Sequence, residues 1–171
     1  MAITFRKCET EQELADVSLF VLARRRDLSP SFITLDALGM LYGYMTRGEL
    51  HAAFDGEGRV VGALALYIGT PESDYADKHV AYVDMVVFDP VRKGTRTFLR
   101  FLSYMAAYMG ENHPDTTHAR FIAQSNNAYL GRLYGKFAQP AGVRDDRNGQ
   151  VTIFFEEISR INDVLSSYSI V

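Results

Sequence analysis

A long apolar strand that runs directly into a basic turn and a helix, His79 to Gly110, constrains the fold more than any other part of the sequence. Nearly every position from His79 to Phe88 is apolar, which predicts a central strand covered on both faces. Asp89-Pro90 ends this strand. The residues from Thr95 to Gly110 then repeat at helical spacing, which predicts a helix. Its buried stripe is predicted to comprise Phe98, Phe101, Leu102, Met105 and Met109.

Two helices are predicted near the N-terminus, after a first strand over Ile3–Cys8. Thr10 and Glu13 have the spacing of a capping box, which opens the first helix; that helix is expected to end near Arg24 to Arg26. The second helix is predicted from Pro30 to Thr46, with Ser29 as its cap. Its buried face is expected to comprise Leu35, Leu38, Leu41, Tyr42 and Met45.

The remaining elements predict a mixed α/β (α+β) architecture. Two strands form a hairpin around Asp55–Gly58. In the last third, the predicted elements are a strand over 118–123, a helix over 126–137, a loop over 140–149, a strand over 151–156 and an amphipathic tail over 158–168. We therefore expect one domain over residues 1–171, with a central mixed sheet of six to seven strands flanked by helices on both faces.

Composition excludes several classes of function. The formal net charge of −3 argues against a nucleic-acid partner. The longest apolar run, Val60–Ile68, is too short to span a bilayer, so no membrane association is expected. The single cysteine, Cys8, cannot form an intramolecular disulfide and is interpreted as a small core residue. With no signal peptide recognised, these features predict a cytoplasmic protein.

The turn between the central strand and its helix has the properties of an anion site. Arg92, Lys93 and Arg96 surround a point where the helix presents unpaired backbone N–H groups and the positive end of its dipole. A pyrophosphate is a natural ligand for such a turn. The alternative is an ordinary strand-to-helix turn with solvated basic residues.

The order of elements, together with Val-x-x-Pro-x-Arg-Lys-Gly at this turn, resembles the GNAT superfamily of N-acetyltransferases. In that family the motif Gln/Arg-x-x-Gly-x-Gly/Ala holds the pyrophosphate of acetyl-coenzyme A through backbone amides. Placing Arg92 first puts Thr95 and Thr97 at the two small positions. We prefer this alignment because threonine is small and its hydroxyl can donate to phosphate.

Placing Lys93 first instead matches Gly94 to a glycine common in the family, but puts Arg96 and Phe98 at the small positions. Neither alignment restores the glycines of the motif. The resemblance implies that the chain binds acetyl-coenzyme A as a co-substrate, with backbone amides of the central strand holding the thioester carbonyl. The implied cofactor-binding residues are Met85, Val86, Val87, Arg92, Lys93, Gly94, Thr95, Arg96, Thr97 and Asn127.

A second segment, Asn127 to Phe137, resembles the family pattern Asn-x-x-Ala/Ser-x-x-Leu-Tyr-x-x-x-Gly-Phe. Asn127 and Tyr134 have the spacing of that pattern, whereas Leu130 and Ala138 depart from it. The resemblance implies that Asn127 contacts the pantetheine and that the Tyr134 hydroxyl protonates the leaving thiolate. The alternative for Tyr134 is a core aromatic residue with its hydroxyl at the surface.

Asp84 is the one charged residue inside the apolar strand, on the same face as Tyr82 and Val86. Many members of the family carry a Glu or Asp on this strand, so the resemblance implies that Asp84 is the general base that deprotonates the amine. The alternative is a structural carboxylate, either paired with an arginine or a tyrosine in the core or lying at an exposed edge.

Other polar residues leave alternatives open. The four histidines lack metal-ligand spacing, so no metal is expected; His79 either reaches a cleft or lies at the surface. An acidic loop before the central strand could bind a cationic amine or be a solvated loop; its members are Glu72, Asp74 and Asp77. A set of tyrosines could line an acceptor pocket or simply pack; its members are Tyr42, Tyr44, Tyr67 and Tyr75.

The expected function is transfer of an acetyl group from acetyl-coenzyme A to a primary amine of a small molecule or a protein. The main alternative is a non-catalytic GNAT-like domain with a structural or protein-binding role. This alternative extends to a protein encoded by a phage, because Leu38–Leu64 resembles phage acetyltransferase-like sequences. Transfer to a nucleobase is the third alternative, against which the acidic balance argues. The sequence leaves both a homodimer and the acceptor open.

Overall fold

A computed structural model describes residues 2–93 and 96–168. These residues form seven strands: β1 (Thr4–Lys7), β2 (Glu49–Phe54), β3 (Val60–Ile68), β4 (Val80–Phe88), β5 (His118–Gln124), β6 (Gln139–Asp146) and β7 (Gly149–Glu157). They also form six helices: α1 (Glu11–Ala23), α2 (Arg25–Leu28), α3 (Thr34–Thr46), α4 (Thr97–Asn112), α5 (Ala128–Tyr134) and α6 (Ile158–Tyr168). The strand order in the sheet is β1-β2-β3-β4-β5-β7-β6. The predicted mixed sheet flanked by helices is confirmed.

The chain divides into two compact units, and each is discontinuous in sequence. The first unit comprises Met1–Tyr67 and Asp84–Phe101, and the second comprises Ile68–Val83 and Leu102–Val171. The division passes through β4 and α4, so each of these elements contributes residues to both units. The single domain over residues 1–171 stays a prediction.

In the first unit, β1, β2 and β3 form an antiparallel ladder. Helix α1 begins with the predicted capping box: the Thr10 hydroxyl accepts from the Glu13 backbone N–H, and the Glu13 carboxylate accepts from the Thr10 N–H. One face of α1 is buried through Val17, Phe20 and Val21. Burial of such aliphatic and aromatic side chains contributes about 1.5–3 kcal/mol each, which fixes the helix more firmly than its cap does.

Helix α3 differs from its prediction in both its start and its orientation. It begins at Thr34, not Pro30, because the Asp36 carboxylate accepts from the Ile33 backbone N–H and caps the helix there. Ser29 instead ends the short, unpredicted helix α2. Of the five residues expected to be buried, only Leu41 is; the others are 43–71 % exposed, namely Leu35, Leu38, Tyr42 and Met45. The helix buries Ala37, Leu41 and Tyr44 instead.

In the second unit, β4 and β5 pair in parallel over four residues each, from Val80 opposite His118 to Val83 opposite Phe121. Strand β7 pairs antiparallel with β5 and with β6. Helix α6 follows β7 directly and buries Ile161 and Leu165. The predicted amphipathic tail is therefore a helix.

The predicted loop over residues 140–149 is wrong, because most of it is strand β6. Proline, glycine and aspartate are poor strand residues, and this led to the wrong prediction. β6 pairs only with β7 in the sheet order, so it is an edge strand, where a proline leaves no ladder hydrogen bond unmade. A register shift lies between Pro140 and Gly142, and Gly142 has a φ of +130°, a conformation that glycine adopts without strain.

Helix α4 buries all five residues of its predicted stripe, so its orientation is confirmed. It runs from Thr97 to Asn112 in place of the predicted Thr95 to Gly110, and Thr95 lies outside the described residues. Within the part of the chain that the structure describes, no helix is long and apolar enough to cross a membrane.

Candidate active site

Asp84 interrupts the most deeply buried strand of the fold. The other eight residues of β4 are buried, and only Asp84 is half-buried. Its Oδ2 accepts a 2.7 Å hydrogen bond from the Tyr44 hydroxyl of α3, and Tyr44 itself is 1 % exposed. The structural alternative predicted pairing with an arginine or a tyrosine, and the pairing with a tyrosine is present. A carboxylate that is oriented by a donor and still partly accessible can also accept a proton, so the role of general base stays a prediction.

Two of the four candidate acceptor-pocket tyrosines lie together, and one of them, Tyr44, contacts Asp84. The rings of Tyr44 and Tyr67 have centroids 5.7 Å apart. Gly43 makes room for this pair, since a Cβ there would lie 2.6 Å from the Tyr67 hydroxyl oxygen. Tyr42 points away from the core, and it is 71 % exposed. Tyr75 belongs to the other unit, where it has a left-handed backbone conformation with a φ of 61°.

The turn after β4 begins with a charged anchor. Asp89 accepts from the Val91 N–H, which starts a 3-10 turn over Pro90–Arg92, and it forms a 3.0 Å ion pair with Arg24 of the α1–α2 junction. Arg92 is half-buried, whereas Lys93 is exposed.

The start of α4 completes this turn. Arg96 is exposed, and Thr97, the first residue of the helix, is buried. Gly94 and Thr95 lie outside the described residues. Three cations that precede the N-terminus of a 16-residue helix suit a pyrophosphate, since this end of the helix has a positive potential. The choice between the two motif alignments stays open, because it depends on Gly94 and Thr95.

The three strand residues assigned to the thioester carbonyl, Met85, Val86 and Val87, are all buried in β4. They follow Asp84 directly, so the candidate base and the candidate carbonyl-binding amides are consecutive along one strand. Their role stays a prediction.

Tyr134 lies at the end of α5 inside an aromatic cluster of the second unit. Its ring centroid is 5.1 Å from that of Phe121 and 5.6 Å from that of Phe154, and Phe137 also contacts it. The residue is 1 % exposed, so its hydroxyl does not lie at the surface as the structural alternative proposed. Its role as general acid stays a prediction.

Asn127 caps helix α5. Its Oδ1 accepts from the Leu130 backbone N–H at 3.1 Å, which fixes the start of the helix that carries Tyr134. The amide oxygen is thus used within the fold, while the amide NH2 is the group that could donate to a pantetheine carbonyl. The predicted helix over 126–137 is shortened to Ala128–Tyr134.

A group of charged residues in the second unit was not recognised from the sequence. Arg120 of β5 binds both carboxylate oxygens of Glu72 at 3.0 and 3.1 Å, and Arg144 of β6 binds the same carboxylate. Arg144 also donates to the Tyr82 hydroxyl at 3.4 Å. Little in the sequence indicates this group, because residues 140–149 are predicted as a loop and Arg144 then has no register with the strands beside it.

The acidic loop before β4 is not a free cation-binding site. Glu72 is shared by two arginines, and Asp77 accepts from both the backbone N–H and the hydroxyl of Thr70. Burial opposes ionisation of Asp77, but these hydrogen bonds outweigh it and hold its pKa below the ordinary value. Asp74 is exposed, with a left-handed φ of 48°.

His79 and Cys8 are the remaining side chains that the sequence analysis considered for reactivity. His79 is exposed, which confirms its surface position. Its ring centroid lies 6.2 Å from that of His118, in an edge-on arrangement. Within residues 2–93 and 96–168, no group of three His, Cys, Asp or Glu side chains could hold a metal ion. Cys8 is buried, and burial raises the pKa of its thiol to about 12, with a smaller contribution from the charge of Glu13.

Comparison with known proteins gives a uniform result for the fold. No protein-family model matches the sequence, and no curated protein matches it. Among solved structures, an aminoglycoside acetyltransferase crystallised with coenzyme A and kanamycin superposes with a TM-score of 0.73 at 13 % identity, over 95 % of this chain and 98 % of that chain.

Two further structures resemble the chain. A GNAT-family acetyltransferase from Streptococcus pneumoniae matches with a TM-score of 0.65 at 12 % identity, over 91 % of this chain and 99 % of that one. A ribosomal-protein-S5-alanine acetyltransferase from Vibrio fischeri matches with a TM-score of 0.67 at 10 % identity, over 91 % and 92 %. The fold is therefore that of an α/β acyltransferase. More particularly, it is the GNAT N-acetyltransferase fold, as the sequence resemblance predicted.

Proposed function

We propose that this chain is an N-acetyltransferase that transfers an acetyl group from acetyl-coenzyme A to a primary amine. The observation that carries the proposal is the position of Asp84, a half-buried carboxylate on an otherwise buried strand of a GNAT fold, held by the Tyr44 hydroxyl. A half-buried carboxylate that a hydroxyl orients and that solvent still reaches can accept a proton, which suits a chemical role.

We assign proton transfer to two residues. An amine must be deprotonated to attack a thioester carbonyl, and we assign Asp84 to accept that proton. The thiolate that leaves is expelled more easily when a donor supplies a proton, and we assign the Tyr134 hydroxyl to supply it. The acetyl carbon thus exchanges its bond to sulfur for a bond to nitrogen, and the amine proton is balanced by the proton given to sulfur.

The binding of acetyl-coenzyme A is assigned to the turn after β4. The cations Arg92, Lys93 and Arg96 would neutralise a pyrophosphate, and the N–H groups at the start of α4 would donate to it. We include Gly94, Thr95 and Thr97 in this site on the motif alignment. Backbone amides of residues 85–87 would polarise the thioester carbonyl, and the Asn127 amide would hold the pantetheine.

A non-catalytic GNAT-like domain is the second candidate. Two observations favour it: Tyr134 is buried against three aromatic rings, and the Asn127 amide oxygen already caps α5. Both residues would then have structural roles alone. For both candidates we place the protein in the cytoplasm, because a reducing compartment suits a chain whose single thiol is buried and unpaired with another cysteine.

The two candidates are separated by release of free thiol from acetyl-coenzyme A in the presence of a panel of primary amines. The enzyme proposal expects turnover that falls by about 100- to 10,000-fold in Asp84→Asn, since that is the usual contribution of a general base. Asp163→Asn, an exposed aspartate on α6, is the matched control and should retain wild-type turnover. Absence of turnover with every amine, in a protein that stays folded, would favour the non-catalytic domain.

A further inference from the structure

The arginine cluster of the second unit is defined here as Arg120, Arg144, Glu72 and Tyr82. Both guanidinium groups bind the Glu72 carboxylate. The Arg120 guanidinium also lies 5.4 Å from the centroid of the Tyr82 ring, within the range of a cation–π contact. Four residues from four segments of the second unit thus meet at one point, on strands β4, β5 and β6 and on the turn that follows β3.

The arginine cluster carries one excess positive charge, because two guanidinium groups share one carboxylate. Solvent reaches it: the side chain of Glu72 is 42 % exposed and that of Arg144 is 33 % exposed, whereas Arg120 is only 15 % exposed. The Arg120 Nε is buried and has no hydrogen-bond partner among the described residues. A donor left in this state is unfavourable, so the hydrogen-bonding capacity of the Arg120 guanidinium is not fully met by Glu72.

The loop that carries Glu72 has a defined conformation. Gly69 donates to the Val80 carbonyl at 2.7 Å, and Tyr75 donates to the Thr70 carbonyl at 2.9 Å, so the base of the loop is closed by backbone hydrogen bonds. Asp77 fastens the same base through Thr70. The loop therefore holds the Glu72 carboxylate against the two arginines. Glu72 occupies the position that the carboxylate of a bound ligand would take.

We infer that the arginine cluster is an anion site that binds a carboxylate or phosphate group, and that its excess positive charge disfavours polycationic ligands. Anion binding by the cluster does not depend on the proposed function.

Anion binding is tested directly with inorganic phosphate, added to protein in a buffer of non-coordinating anions and followed by NMR of the arginine Nε–H signals. We expect saturable shifts of the Arg120 and Arg144 signals. Arg144→Gln should weaken phosphate binding by about tenfold or more, since it removes a charge-assisted hydrogen bond. Arg160→Gln, an exposed arginine of α6, is the matched control and should leave it unchanged.

The variant Glu72→Gln separates a binding site from a structural ion-pair network. It removes the internal carboxylate that competes for the arginines, so phosphate binding should tighten. A purely structural network predicts no phosphate binding in either protein. Absence of shifts at both arginines in wild type and in folded Glu72→Gln would overturn the inference.

Discussion

The Tyr44 hydroxyl donates a 2.7 Å hydrogen bond to Oδ2 of Asp84, and this bond joins helix α3 to strand β4. It also accounts for the orientation of α3. Apolar residues occupy all sides of that helix, so packing alone does not choose the buried face. With Tyr44 directed at Asp84, Ala37 and Leu41 are buried on the same side, and Tyr42 is directed to solvent.

The first prediction concerns this hydrogen bond. Tyr44→Phe should lower the free energy of unfolding by about 1–3 kcal/mol, because it removes one hydrogen-bond donor from the half-buried Asp84 carboxylate. Tyr42→Phe, two residues earlier and 71 % exposed, is the matched control and should stay within about 0.5 kcal/mol of wild type. Urea denaturation measures the free energy of unfolding of both variants, provided that the m-value is the same as in wild type. Equal effects of the two variants would show that the hydrogen bond does not stabilise the fold.

The second prediction concerns the proposed general acid. Tyr134→Phe keeps the ring that contacts Phe121 and Phe154, and removes only the hydroxyl. We expect turnover to fall by about a hundredfold or more, with little change in affinity for acetyl-coenzyme A. Steady-state kinetics and calorimetry measure the two quantities separately. Tyr168→Phe, at the exposed end of α6, serves as the control. Unchanged turnover in Tyr134→Phe would remove this residue from the mechanism.

The third prediction concerns Cys8. Burial raises the pKa of its thiol from 9.0 to about 12, so the folded protein favours the neutral thiol. The corresponding stabilisation is fully present below pH 9.0 and is lost as pH rises towards about 12. At pH 8 the native protein should react with a disulfide reagent far more slowly than the urea-unfolded protein. Equal rates of reaction would contradict the burial of this thiol.

The elements that could be predicted from the sequence are those with one dominant pattern. The apolar strand β4 allows only a central position covered on both faces, and the single stripe of α4 allows only one orientation. The Thr10–Glu13 pair marks the start of α1. The buried face of α3 could not be predicted in the same way, since its choice depends on a hydrogen bond to a residue 40 positions away.

The same distinction separates the residues of the candidate site from the arginine cluster. Asp84 could be singled out because a charge inside an apolar strand is conspicuous. The arginine cluster could not, because Arg144 lies on an edge strand whose proline and glycine residues suggest a loop. Its partner Glu72 is 72 positions away, and the two come together only when β6 pairs with β7, β7 with β5 and β5 with β4.

Isothermal titration calorimetry with coenzyme A tests the central claim most directly, because an acetyltransferase of this fold must hold the cofactor whatever its acceptor. The basic turn before α4 predicts saturable binding in the micromolar range and a higher melting temperature when coenzyme A is present. A folded protein that shows no heat of binding at millimolar coenzyme A would contradict the assignment of this chain as an acetyltransferase.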